Sequence, residues 1–258
     1  MNLLLFEPRE LSPDGDATVT GGRAAHLRDV LKVGPGAQVR VGVLDGAAGI
    51  GVVTSVDARA VELRCQFDAI APPRPLVDLL LALPRPKVLR RLWAQLAALG
   101  VGRVILTNAE RVERDYFDSH VLQEDGYRPL LIEGLQQARD TRMPAVSIHK
   151  RFKVLIEDDL DRLCPAGRRL VAHPGGDTAI GAALSGVVAG ERVLLAIGPE
   201  GGWNDFELQL LDAHGFQRVG MGPRTLATTT ACIALLTLVH DAIRSAERST
   251  VKNVENMK

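Results

Sequence analysis

Three glycine-bearing segments hold residue types whose spacing could do chemistry. Gly198-Pro199-Glu200-Gly201-Gly202 follows the apolar run Val193-Leu194-Leu195-Ala196-Ile197, and Gly220-Met221-Gly222-Pro223-Arg224 follows Phe216-Gln217-Arg218-Val219. His173-Pro174-Gly175-Gly176 follows Arg169-Leu170-Val171-Ala172. Glycine lacks the Cβ that would hold a ligand off the main chain and opens positive φ, so peptide groups themselves become a binding surface. Asn204 and Glu207 have the spacing of a capping box, which turns the first N–H groups of a helix back toward the loop Gly198–Gly202. That arrangement suits a polar or anionic small ligand. No loop has Gly-x-Gly-x-x-Gly or Walker spacing, which argues against a dinucleotide or a nucleoside triphosphate. An ordinary strand-to-helix turn uses the same residues; recurrence of the pattern after separate strands favours a ligand site. His173 has two readings, a pocket residue or a turn residue before Pro174.

The elements that must position these loops alternate. A strand over 76–83, a helix over 87–99, a strand over 103–107, a helix over 127–139, a strand ending near His149 and a helix over 152–163 precede the three loop-bearing strands. A long apolar helix over 228–243 closes the series. Alternation of this kind predicts a parallel sheet covered on both faces. Ahead of Ala71-Pro72-Pro73-Arg74-Pro75 the chain reads differently. Runs over 38–44 and 51–56 flank Asp45-Gly46, 61–65 alternates with period two, and 23–31 is a short helix. These predict a small β-barrel, PUA-like or OB-like. The expected division is 1–72, 73–248 and a polar, frayed tail over 249–258.

Composition narrows the class. With 46% hydrophobic and 24% charged residues and zero net charge, the chain has the make-up of a soluble globular protein. Met1 to Phe6 lacks the basic start of a secretory signal and no run reaches membrane-spanning length. Cys65, Cys164 and Cys232 are widely spaced, so neither a metal site nor a redox pair is expected, and the predicted location is the cytoplasm. The six histidines show no metal-ligand spacing, and no Gly-x-Ser-x-Gly elbow is present. A metal-independent chemistry is expected.

Taken together, the strand, Gly-Pro-Glu-Gly-Gly, helix, strand, Met221-Gly222-Pro223-Arg224, Leu226 and the final helix resemble the ribosomal RNA small-subunit methyltransferase E family of the SPOUT superfamily. His26-Leu27-Arg28-Asp29-Val30-Leu31-Lys32, Pro84-Arg85-Pro86-Lys87 and Gln136 to Pro144 extend the likeness over nearly the whole chain. The resemblance implies a PUA-like RNA-binding barrel, a trefoil-knotted α/β methyltransferase domain and a homodimer. It further implies methyl transfer from S-adenosylmethionine to N3 of a uridine in 16S ribosomal RNA, free or in the assembled small subunit. Cofactor contacts are implied for His173, Pro174, Gly175, Ile197, Gly198, Pro199, Glu200, Gly201, Gly202, Gly220, Met221, Gly222 and Leu226.

Uracil N3 carries a proton, so methylation needs the imide anion or its stabilisation. Arg224 is the expected catalytic residue, its guanidinium holding O2, O4 or an adjacent phosphate. RNA contacts are expected from Arg23, Arg28 and Lys32 in the smaller domain and from Arg85, Lys87, Arg111, Arg139 and Arg142 in the larger one. The stretch Pro84–Arg111 holds six basic residues against Glu110, whereas residues through Pro72 hold seven basic against nine acidic ones. Where the family carries Arg-Ile-Leu-Arg-x-Glu-Thr-Ala, this chain has Ala227 for the second arginine and Thr229 for the glutamate. The alternatives are therefore a related protein acting on another RNA, or a catalytically weakened RNA-binding protein that keeps the cofactor fold.

Overall fold

A computed structural model describes residues 2–165 and 167–255, with side chains through Arg248. The chain divides into two compact units, Met1–Arg74 with Leu131–Met143, and Pro75–Leu130 with Pro144–Lys258. The segment Leu131–Met143, far beyond the proline-rich Ala71–Pro75, thus clusters with the first unit.

The first unit is a five-stranded sheet of β1 (Leu4–Phe6), β2 (Asp16–Thr20), β3 (Gln38–Val43), β4 (Ala48–Val56) and β5 (Ala60–Phe67), in the order β1-β3-β4-β5-β2. Only β1 and β3 run parallel; the remaining pairs are antiparallel. Period-two alternation in β2 and β5 sends Ala17, Val19, Val61 and Leu63 into a core with Leu4, Phe6, Val41 and Val53. The predicted hairpin is present, with Asp45 at φ 56 in its turn. β1 and β2, absent from the expected strands, complete the sheet. The helix expected over 23–31 is α1 (Gly21–Ala25) running into a π segment, His26–Val30.

The second unit carries a six-stranded, wholly parallel sheet of β6 (Val77–Ala82), β7 (Val101–Thr107), β8 (Ala145–His149), β9 (Arg168–Ala172), β10 (Val193–Ile197) and β11 (Phe216–Val219). Its order is β11-β9-β10-β6-β7-β8. The central strands β6 and β10 are buried at every position, as continuous apolar runs covered on both faces require. The helices are α2 (Pro86–Ala98), α3 (Glu124–Ala138, of which the residues from Leu131 cluster with the first unit), α4 (Phe152–Val154), α5 (Leu160–Leu163), α6 (Ile180–Ala183), α7 (Asp205–Ala213) and α8 (Thr228–Glu255). Two expectations change here. The single helix over 152–163 is α4 and α5 interrupted by a π segment, Leu155–Asp159. The helix expected to stop at Ile243 continues through Glu255, so the tail expected from Ser249 is helical to that point, and 256–258 lie outside the described residues.

After β11 at the edge of the sheet, the chain crosses to α8, which packs on α6, α2, β10 and β6. Because all six strands are parallel, β9, β10 and β11 end on one edge, and the three glycine segments leave from there. Ligands of open α/β sheets bind at such carboxyl ends.

Candidate active site

Those three segments enclose a cavity of about 300 Å³. From the β9 loop come His173 and Pro174, and from the β10 loop Ile197, Gly198, Pro199, Glu200, Gly201 and Gly202. Gly220, Met221, Gly222, Arg224 and Leu226 follow β11. Gly175 is the exception among the expected cofactor residues: it is not on the wall, and its N–H donates to His173 Nδ1 at 3.0 Å. His173 Nδ1 accepts this bond and so holds the turn. The close approach belongs instead to the next glycine. A Cβ on Gly176 would stand 2.6 Å from the carbonyl carbon of Val219, and one on Gly220 would strike the Gly176 carbonyl. Gly220 N–H donates to Thr178 O at 3.0 Å, and His173 N–H to Val219 O at 2.9 Å, which ties the β9 and β11 loops together.

The β10 loop is held by side chains. Asn204 Oδ1 accepts from Glu207 N–H at 2.8 Å and Glu207 Oε2 accepts from Asn204 N–H at 2.9 Å, the reciprocal bonds of a capping box. Glu207 is 3% exposed, and its other oxygen accepts from Glu110 N–H at 2.7 Å, so the buried carboxylate is satisfied on both sides. Arg111 donates to Gly201 O, and Arg85 pairs with Glu200 at 3.3 Å. The charge of Glu200, with Tyr116 behind it, stabilises the protonated Arg85. The Trp203 indole lies 3.0 Å from where a Gly198 Cβ would stand, and its buried Nε1 has no hydrogen-bond partner among the described residues.

The cavity also has walls that its glycine motifs do not announce. Thr228, Ala231 and Leu235 contribute one face of α8, at spacings of three and four. Ala172, Trp203, Val219 and Thr225 complete it. The helical spacing of small and apolar residues was the available signal. Ala227 and Thr229 are not on the wall.

Arginines expected to meet RNA fall into different settings. In the first unit Arg23 pairs with Glu10 and donates to Leu5 O at 3.0 Å. Arg28 is bidentate with Asp29 at 2.7 and 2.9 Å and reaches Ala58 O. Arg142 donates to Pro72 O at 2.5 Å and to Asp45 O at 2.7 Å. Their guanidinium groups are occupied within the fold. Lys32 and Arg139 are exposed, both at positive φ, 53 and 60. In the second unit, Arg85 and Arg111 brace the β10 loop as described, and Lys87 is exposed. The guanidinium of Arg224 is exposed beside the cavity and makes no hydrogen bond or ion pair among the described residues.

All three cysteines are free and buried. Burial pushes the Cys164 thiol up to about 11 and that of Cys232 to about 12, which removes thiolate chemistry at neutral pH. No cluster able to hold a metal ion occurs among the described residues, and no described helix is long and apolar enough to cross a membrane.

A parallel sheet with a cavity at the carboxyl ends of three adjacent strands, walled by main chain, defines a class. The sequence model of the RNA methyltransferase domain matches residues 72–240. The chain is 30% identical over 246 residues to the ribosomal RNA small subunit methyltransferase E of Treponema pallidum, covering 93% of this chain and 90% of that one. It therefore belongs to the ribosomal RNA small subunit methyltransferase E family, and is an RNA methyltransferase. A Borreliella burgdorferi relative named ribosomal RNA small subunit methyltransferase E 1 is 23% identical over 91% of this chain and 95% of its own. Among solved structures, the Neisseria gonorrhoeae enzyme of the same name, bound to S-adenosyl methionine, shares the fold at a TM-score of 0.72 and 20% identity, covering 92% of this chain and 95% of that one.

Proposed function

We propose that this chain transfers the methyl group of S-adenosylmethionine to N3 of a uridine in the 16S ribosomal RNA of the small subunit. The observation that carries the reading is the convergence of three main-chain loops on one cavity beside the unpaired guanidinium of Arg224. The names of the relatives supply ribosomal RNA and the small subunit, and the N. gonorrhoeae structure supplies the cofactor.

The residues fit that cofactor. Ile197, Leu226, Ala231 and Leu235 offer an apolar wall for a purine, and glycine peptide groups offer hydrogen bonds at short range. Trp203 Nε1 is a buried donor without an acceptor among the described residues, and the Glu200 carboxylate on the wall suits a positive charge. When bound, S-adenosylmethionine supplies an electrophilic methyl group. The protein's own part is to hold the uracil, extruded from any pairing, with N3 facing that methyl. Loss of the N3 proton to solvent water at the open side of the cavity spreads negative charge over O2 and O4, and Arg224 stabilises it with a planar, permanently charged donor. Lys32, Lys87 and Arg139, exposed and without an ion pair among the described residues, are assigned to RNA phosphates, whereas Arg23, Arg28 and Arg142 serve the fold.

The same reading assigns the first unit to a PUA-like barrel, supported by its five-stranded, mainly antiparallel sheet. It assigns a trefoil knot to the second, supported by the passage of the chain from edge strand β11 to α8 over β10 and β6. A homodimer is supported by Ile233 and Leu238, exposed on α8; light scattering showing a monomer with cofactor present would remove it. The functional test is methyl incorporation from labelled S-adenosylmethionine into small subunits lacking the modification, with the modified nucleotide mapped. Label at a single uridine N3 is expected; label on another atom or another RNA overturns the assignment. Ala227 and Thr229 favour one second reading, weakened catalysis with intact cofactor binding. On that reading Ala227→Arg with Thr229→Glu raises the single-turnover rate and leaves cofactor affinity unchanged.

A further inference from the structure

A second cavity, of about 260 Å³, opens where β7 ends. Trp203 lines the first cavity and Asn204 the second, so adjacent residues of one segment divide them. Its wall combines groups that fold stability does not explain. Phe206, in the first turn of α7, is 56% exposed, a large apolar ring left in water beside a cavity. Asn108, pinned by its N–H to His149 O at 3.2 Å, has a buried side-chain oxygen with no partner among the described residues. Arg114 is exposed with no ion pair among the described residues, and Lys153 is exposed, sharing Glu157 at 3.7 Å. The Glu110 carboxylate on the same wall disfavours a phosphate seated deep in the cavity and suits an amino or imide N–H.

We infer that this cavity takes a second nucleotide of the RNA substrate, with its base stacked on Phe206, its edge read by Asn108 and its phosphate on Arg114 and Lys153. A flat ring, an amide edge and flanking cations are the three components by which proteins hold an unpaired base. The loop Glu110–Arg114 links the two cavities mechanically, because Arg111 within it donates to Gly201 O in the first site while Glu110 and Arg114 line the second. The inference rests on the proposal that the substrate is RNA.

The test has two arms. In the first, Phe206→Ala and Phe206→Tyr are compared with the wild type for methylation of unmodified small subunits and for S-adenosylmethionine affinity by calorimetry. Phe206→Ala is expected to raise KM about ten-fold, the size of one lost base stack, with cofactor affinity unchanged and Phe206→Tyr close to wild type. In the second, wild-type protein is photo-crosslinked to a short single-stranded oligoribonucleotide containing 4-thiouridine, and crosslinks are expected on the peptide that contains Phe206. An unchanged KM, or crosslinks confined to other peptides, overturns the inference. A raised KM on whole subunits without any crosslink there would mark Phe206 as a protein-docking residue and overturn it equally. If the wild type methylates no small subunit, the functional reading fails by itself, and the crosslink still decides the cavity.

Discussion

The β10 and β11 loops face one cavity yet are held in opposite ways. Gly198–Gly202 is tied by Arg111 to Gly201 O, by Arg85 to Glu200, by the Asn204–Glu207 box and by a Gly202 N–H to Pro199 O bond of 2.8 Å. Beyond Gly220, the residues Met221 to Thr225 are exposed and, among the described residues, have no comparable tether before α8 begins. Peptide groups already in place bind a ligand without an ordering cost, whereas a loosely held segment must be ordered when it engages. On the proposed function, the β10 loop is the part already shaped for cofactor and the β11 loop, carrying Arg224, the part that orders on substrate.

Removing Arg224 sharpens that contrast most. Arg224→Ala is expected to lower the single-turnover methylation rate about 100-fold, the usual loss for one charge-stabilising donor, with cofactor affinity unchanged in calorimetry; equal rates would leave the β11 loop without chemistry. The next effect is on stability. Gly220→Ala, driven into the Gly176 carbonyl, should cost about 3 kcal/mol in denaturant unfolding, the upper range for overpacking. Gly222→Ala, at φ 90 with open space around its Cβ, should cost only about 1 kcal/mol of left-handed strain. A similar loss at both would mean that the β11 loop is as tightly built as its neighbour.

Glu207→Ala removes the acceptor of two backbone N–H groups and should destabilise the protein by about 2 kcal/mol while weakening cofactor binding through the β10 loop. If affinity survives, the capping box does not position that loop. The smallest change is expected from Arg85→Ala. Its pair with Glu200 is exposed at both ends, so stability should stay close to wild type and the cofactor titration shows whether Arg111 alone is enough to hold the loop.

What was legible in the sequence was whatever a few neighbouring residues encode. β10 and β11 fall on the residues expected for them, because an apolar run bounded by glycine is local information. Asn204 and Glu207 form the box their spacing predicts. Partners distant in sequence were not legible: Arg142 reaches Pro72, and Arg23 reaches Glu10, so a count of basic residues could not tell free cations from braces. Nor could it separate Gly175 from Gly176, since only the approach of another strand's backbone distinguishes them. The α8 face of Thr228, Ala231 and Leu235 was hidden for a related reason. Its spacing is that of any helix packed on a core, and what it packs toward is a matter of topology.

The contact between Gly176 and Gly220 has a consequence for inhibition. A compound that hydrogen-bonds to the main chain at this junction addresses atoms that every residue type shares, and the two positions admit no side chain without displacing each other's backbone. Resistance normally arises by swapping the side chain a drug touches; here that route requires giving up the junction itself. Escape would instead come from side chains elsewhere on the cavity wall, such as the exposed Met221 and Thr225, where resistance screening of such a compound would look first.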